Sequence, residues 1–197
     1  MKSYVLAGIA LYFLALCPME AHCEEIVKTT VCEVLANPPA FNHKLIELTG
    51  DATEGMENFS LTSQGCPIDK NNWSSIWLEY GGRRGSGAKY CCSVISGRTR
   101  ASDLIVEGVR TSLVNDRKFR ALDARVYPVG AVKVTLIGRY FAGTRDDSPA
   151  RPGVYLWGGY GHFGMATLLV IQQVVTIYAH DKTDDYPAKG DPQPSAQ

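Results

Sequence analysis

Between Lys44 and Ser63 hydrophobic and polar positions alternate with a period of two. Leu45, Glu47 and Thr49 alternate with Ile46, Leu48 and Gly50; further on, Phe59 and Leu61 alternate with Ser60 and Thr62. A pleated strand with one buried face requires this period. The pattern predicts strands over Lys44–Thr53 and Phe59–Thr62, joined by a turn over Glu54–Asn58. A third strand follows over Ser75–Tyr80, with Ile76 and Leu78 on one face and Trp77 and Glu79 on the other. Ala131–Phe141 is a fourth, and its Val134–Tyr140 stretch closely repeats Ile46–Ala52. Both copies carry a glycine, Gly50 and Gly138, which inside a strand marks a bulge or a sharp bend. Met165–Ala179 is the last long strand and Val154–Trp157 a short one.

Two stretches show a helical period instead. Glu24–Ala36 presents Val31, Val34 and Leu35 on one face; Thr29 or Thr30 caps it, with Glu33 as capping-box partner. Asn37-Pro38-Pro39 stops it. Asn115 or Asp116 caps a second helix running to about Tyr127. Its stripe is Phe119, Leu122 and Val126, and Pro128 and Gly130 end it. Residues 81–103 are a Gly/Arg/Ser-rich loop with no phosphate-loop spacing. Its arginines, Arg83, Arg84, Arg98 and Arg100, are expected in solvent. Leu104–Val114 reads as extended, Gly143–Gly153 as a turn-rich loop, and 181–197 as a polar, proline-bearing disordered tail.

The resulting order is strand, strand, strand, helix, strand, strand behind a short N-terminal helix. That is the order of an OB-fold, a five-stranded Greek-key barrel with a helix between strands three and four. The Lys44–Gly50 run resembles the first strand of OB domains and Lys133–Arg139 resembles the fourth. Cys32–Lys44, flowing into the first strand, is similar to a group of secreted bacterial OB-like proteins of uncharacterised function. The resemblance spans about residues 30–178. It implies a mainly β, OB-fold-like barrel domain over 24–180 with an insertion at 81–114, and it carries no catalytic motif.

Composition adds a compartment. Hydrophobic residues make up 45% and charged residues 20% of the 197, enough apolar content for a packed core. Lys2, the uncharged apolar run Tyr4–Leu16, the break at Pro18 and small Ala21 read as a signal peptide over residues 1–23, cut ahead of Glu24. The expected location is secreted or periplasmic. Removing the leader takes one charge of each sign, Lys2 and Glu20, so the remainder stays near neutral. A neutral exported domain has no electrostatic reason to hold a nucleic acid, and no later apolar run is long enough to span a bilayer. Cys32, Cys66, Cys91 and Cys92 remain, an even number that suggests disulfides with three connectivities open. Bridges from the adjacent Cys91 and Cys92 to the two distant cysteines are easier than a strained ring between neighbours.

The most unusual stretch is Gly158–Gly164, with the aromatics that lead into it. Tyr155, Trp157, Tyr160, His162 and Phe163 alternate with glycines in the loop before the last strand, one of the loops that line the ligand face of an OB domain. Glycines admit a ligand close to the backbone and aromatics offer stacking area. The competing reading is a turn whose aromatics cover the end of the barrel. His162 has no Ser, Cys or carboxylate at a spacing that implies a triad. His43 and His180 are expected to be solvated. Asp146-Asp147 and Asp184-Asp185 lack the calcium-loop pattern, and the cysteines have no C-x₂-C pair for zinc. No cofactor or metal is expected. The reading is a non-enzymatic binding module for a protein, glycan or small ligand. The alternatives are a netrin-like protease inhibitor, which would need a cysteine at its mature N-terminus, and a thiol redox protein using Cys91 and Cys92.

Overall fold

The computed structural model describes residues 24–66, 75–90, 98–147 and 155–179. The expected leader, the expected tail with Asp184 and Asp185, and Trp73, Cys91, Cys92 and His180 lie outside the described residues, as do the side chains of Asp146, Asp147 and Tyr155.

The fold is mainly β, dominated by one large mixed sheet. The long strands are β2 (Leu45–Gly55), β3 (Asn58–Thr62), β4 (Ser75–Tyr80), β7 (Gly130–Phe141) and β10 (Leu168–Ile177). β2 pairs antiparallel with β3, β3 with β4, and β10 with β7, whereas β4 and β10 run parallel. β2 and β7 also pair along their whole shared length, from Leu45 opposite Arg139 to Glu54 opposite Gly130. Each of the five strands therefore has a hydrogen-bonded neighbour on both sides.

The two strand glycines sit where that arrangement demands close approach. A Cβ on Gly50 would lie 2.6 Å from the Thr62 carbonyl oxygen, and one on Gly138 2.6 Å from that of Val170. Opposite Gly138 the β10 register slips between Ile171 and Gln173, the extra residue of a bulge, which bends its strand.

The inward faces follow the sequence alternation. Ile46, Leu48 and Ala52 of β2 meet Phe59 and Leu61, then Ile76, Leu78 and Tyr80, then Val134, Leu136, Leu168 and Val170. Helix α3 (Arg117–Val126) packs its stripe of Phe119, Leu122 and Val126 onto this core, and Asp116 caps it by accepting from the Phe119 amide. Burying each such side chain contributes about 1.5–3 kcal/mol. The Tyr80 ring stands between Phe59, at 5.3 Å, and Phe119, at 5.1 Å, an edge-rich geometry that aromatic quadrupoles favour.

Several boundaries differ from expectation. The N-terminal helix starts later: Val27–Lys28 is a short strand, β1, paired parallel with Ile46–Glu47. Helix α1 covers Val31–Ala36 behind a Thr30–Glu33 capping box. Pro38 ends nothing permanently, because α2 (Pro38–Phe41) begins on it; the first helical position has no use for an N–H. The turn expected over Glu54–Asn58 is shorter, since β2 continues through Gly55. The 104–114 segment folds into a small hairpin, β5 (Ile105–Val106) and β6 (Val109–Arg110). The 143–153 loop contains a strand, β8 (Thr144–Asp147), paired with β9 (Tyr155–Gly158).

One disulfide joins Cys32 of α1 to Cys66 after β3, with Cα atoms 5.0 Å apart. It overturns the expected bridges from Cys91 and Cys92 to these two positions, which are spent on each other. Among the described residues no helix is long and apolar enough to cross a membrane.

Candidate functional site

The aromatic–glycine segment divides at Gly161. Its φ is +71°, and a Cβ there would lie 2.4 Å from the Trp77 ring. The backbone thus lies flat on Trp77, which is buried on the outer side of β4. Before Gly161, Tyr160 bridges back to Ala166 and its side chain is buried. After it, His162–Gly164 forms a single 3₁₀ turn that throws Phe163 outward, 83% exposed. Phe163 has φ +58°, a conformation that bulky L-residues adopt only where the surroundings impose it. Trp157 is half-buried and packs against the core. The five residues singled out in the sequence therefore do not form one surface: Tyr160 and Trp157 pack inward, while His162 and Phe163 face out.

Tyr160 points to one end of the sheet, where β2 begins. Its hydroxyl donates to Glu107 Oε1 at 2.5 Å, and His43 Nε2 donates to Glu107 Oε2 at 2.5 Å. His43 is exposed, as expected, and is also paired. The contact needs unusual backbone on both sides, because His43 (φ +61°) and Glu107 (φ +48°) are both left-handed. Glu107 occupies the β5–β6 turn with Gly108, the positive-φ pair of a tight hairpin. Burial pushes the Glu107 carboxyl up, but the two hydrogen bonds outweigh it and its pKa lies below the ordinary range. Burial and then Glu107 raise the Tyr160 phenol. The His43 ring stands edge-on to Phe141 at 5.5 Å, Asn42 Oδ1 accepts from the Ala142 amide, and Arg139 donates to the His43 carbonyl and pairs with Glu24. This end is stitched shut.

The opposite end, where β2 finishes, has the reverse construction. Its charges are inside. Glu79, fully buried on the outer side of β4, accepts from the Tyr80 amide, the Ser86 amide and the Ser86 hydroxyl, and pairs with Arg100 at 3.0 Å. Arg98 holds Asp123 of α3 through both carboxylate oxygens at 2.7 Å and lies 3.7 Å over the Tyr127 ring; Arg84 binds the same Asp123 at 2.5 Å. Three of the four loop arginines thus fasten the 81–100 loop to β4 and α3. The expectation of solvated arginines fails for them because the buried carboxylates Glu54 and Glu79 and the half-buried Asp123 face the loop.

Glu54 is the poorly served member. It ends the inward row of β2 at 2% exposure, its Oε2 has no hydrogen-bond partner, and its nearest cation, Arg98, is 3.9 Å away. Burial pushes its pKa up to about 8, against the pull of Arg98.

Outside this layer the side chains are apolar and exposed. Met56, on the β2–β3 turn, is 74% exposed, and Val129, just before β7, is 73% exposed. Glu54 opposite Gly130 places these two tips side by side. His162 joins the other members, with ring centroids 3.9 Å from Phe163 and 4.5 Å from Tyr90, and Nδ1 3.8 Å from Glu57 next to Met56. Tyr127, 45% exposed, closes the rim from the end of α3. Among the described residues, five of the nine exposed large hydrophobic residues, Met56, Tyr90, Tyr127, Val129 and Phe163, gather here, and exposed apolar patches mark interaction sites.

Sequence reasoning missed Met56, Tyr90 and Val129. Each lies in a turn or loop between elements and carries no pattern that groups it with the others. Among the described residues no three His, Cys, Asp or Glu side chains stand together as a metal site. His43 Nε2 is occupied by Glu107, and no Ser, Thr or Cys is hydrogen-bonded to His43 or His162 among those residues. The chain matches no protein-family model, and no curated protein or solved structure matches it.

Proposed function

We propose that the chain is an exported, non-enzymatic binding module built on an OB-like barrel, and that it engages its partner through the rim around His162. The barrel reading is supported by the strand pairing 1-2-3-5-4-1 among the five long strands, with the third and fifth parallel and α3 between the third and fourth, the arrangement of an OB domain. The close backbone approach at Gly50 and Gly138 and the pairing of β2 with β7 suit closure. In OB domains the loops after the first and fourth strands flank the ligand; here these are the Met56–Glu57 turn and the His162–Phe163 turn, which touch. Export is supported by the leader-like first 23 residues and by the Cys32–Cys66 bridge, a bond that persists in oxidising compartments.

The observation that carries the reading is Phe163: a large aromatic side chain held almost fully in solvent by a left-handed backbone, beside the His162 ring, which in turn stands against Tyr90. A burial-driven fold gains nothing from that arrangement, whereas a partner gains an anchor. The test replaces Phe163 and Tyr90 by alanine and measures retention of ligand from an extract of the native cell envelope. Loss of retention with an unchanged far-ultraviolet spectrum is expected. Equal retention by the variant and the parent removes the rim as the binding surface.

A further inference from the structure

Helix α3 turns a purely basic face to solvent. At about 100° per residue, Arg117, Lys118, Arg120 and Arg125 fall on one outward arc, and all four are exposed. The acidic residues of this stretch do not share the arc. Asp116 is occupied in capping the helix, and Asp123 is held by Arg84 and Arg98 on the side of the 81–100 loop. A chain of zero formal net charge therefore concentrates positive charge on one surface. Arg125 lies in the last turn, and the chain passes from it directly into Tyr127 and Val129, so the basic face runs into the apolar rim.

We propose that this combined surface docks on an anionic lipid bilayer, with α3 over the headgroups and the tips Met56, Val129 and Phe163 entering the interface. The proposal rests on the binding-module reading and names the partner of the same rim. Charge complementarity selects an anionic surface. The apolar tips select lipid among anionic surfaces: they project from three separate turns, and a fluid interface receives each where it stands, whereas a rigid partner needs a pocket for each. A nucleic acid would use the basic arc but has nothing to gain from Met56 and Val129, which do not stack on bases. Apolar insertion together with basic residues at the headgroups is the usual pairing of forces for a protein lying on a membrane.

The test is sedimentation of the purified chain with vesicles of phosphatidylcholine alone and of phosphatidylcholine with phosphatidylglycerol, at 0.15 M salt. Binding is expected to the anionic vesicles. Each basic residue near such a surface adds roughly fivefold to partitioning, so Arg117→Gln with Arg125→Gln should lower it roughly 25-fold on anionic vesicles. Met56→Ser, Val129→Ser and Phe163→Ser together should lower it at least about tenfold on either vesicle, with each variant's melting temperature recorded to exclude unfolding. Absence of wild-type binding to anionic vesicles overturns the proposal. If the Phe163 and Tyr90 variant then still loses its envelope ligand, the binding-module reading stands without lipid. Binding to a DNA duplex that survives the triple tip substitution and fails with the two arginines replaced assigns the arc to nucleic acid and also overturns the proposal.

Discussion

Where β2 begins, Glu107 receives a phenol and an imidazole, Arg139 closes over the His43 carbonyl, and the polar groups of three segments meet one another. Where β2 finishes, two carboxylates, Glu54 and Glu79, are buried among four half-buried charged side chains, beneath a rim of Met56, Val129 and Phe163 that faces water. Among the described residues, the first end pairs most of its polar groups, leaving Arg139 Nε over, and exposes two large apolar side chains, Ile26 and Ile105, against five at the second. The second puts charge inside and apolar surface outside, against the usual partition. An end built that way is costly as a structure and useful as a surface, and this asymmetry is the physical reason for placing function there.

The largest effect expected from breaking the contrast comes from Glu79. Replacing it by alanine strands Arg100 and both Ser86 donors in a buried site, and should cost about 3–5 kcal/mol in chemical denaturation. Glu54 should answer in the other direction. Its folded pKa, about 8, lies above the ordinary 4.5, so the folded state holds the extra proton and stability falls as pH rises through that window. Glu54→Gln removes the titration. The variant should be more stable than the parent at pH 8 by about 4 kcal/mol and nearly equal to it near pH 4.5; an unchanged difference across the range would break the assignment.

At the stitched end, Glu107→Gln puts an amide N–H against one of two donors and should cost about 1–2 kcal/mol at neutral pH. Because the folded pKa of Glu107 is lowered, its contribution is present above the ordinary carboxylate range and is lost as pH falls through the folded value. The parent's advantage over the variant should therefore shrink in acid, measured by thermal unfolding. The smallest structural effect belongs to Phe163→Ala, within about 0.5 kcal/mol, because the side chain buries almost nothing. A loss larger than about 1 kcal/mol would make Phe163 a packing residue and move it to the other side of the comparison.

The long elements were legible in the sequence because one period governs each of them. Ser75–Tyr80 is a strand with the bounds that its alternation implies, and the Phe119, Leu122 and Val126 stripe is buried as its spacing demands. The glycines at 50 and 138 stood out as special positions, but they mark close approach to the Thr62 and Val170 carbonyls, while the register slips lie on β10. Glu54 was not legible: a carboxylate at the end of an alternating run reads as a turn, and the pairings with Phe59 and Gly130 keep it in the strand and pointing inward. Arg84, Arg98 and Arg100 were illegible for the same reason, since their partners lie on three distant segments. The candidate site was half legible. The 155–164 stretch does hold Phe163 and His162, but the reversal at Gly161 depends on Trp77 beneath it, a contact that no local pattern announces.

The most direct test of which end engages a partner is a titration of the isotope-labelled chain with bicelles carrying phosphatidylglycerol, read by amide signals. Perturbation centred on residues 56–57, 127–129 and 162–163, with 43, 107 and 140 silent, is the predicted result. Perturbation centred on 43, 107 and 140, with the tips silent, would contradict the account.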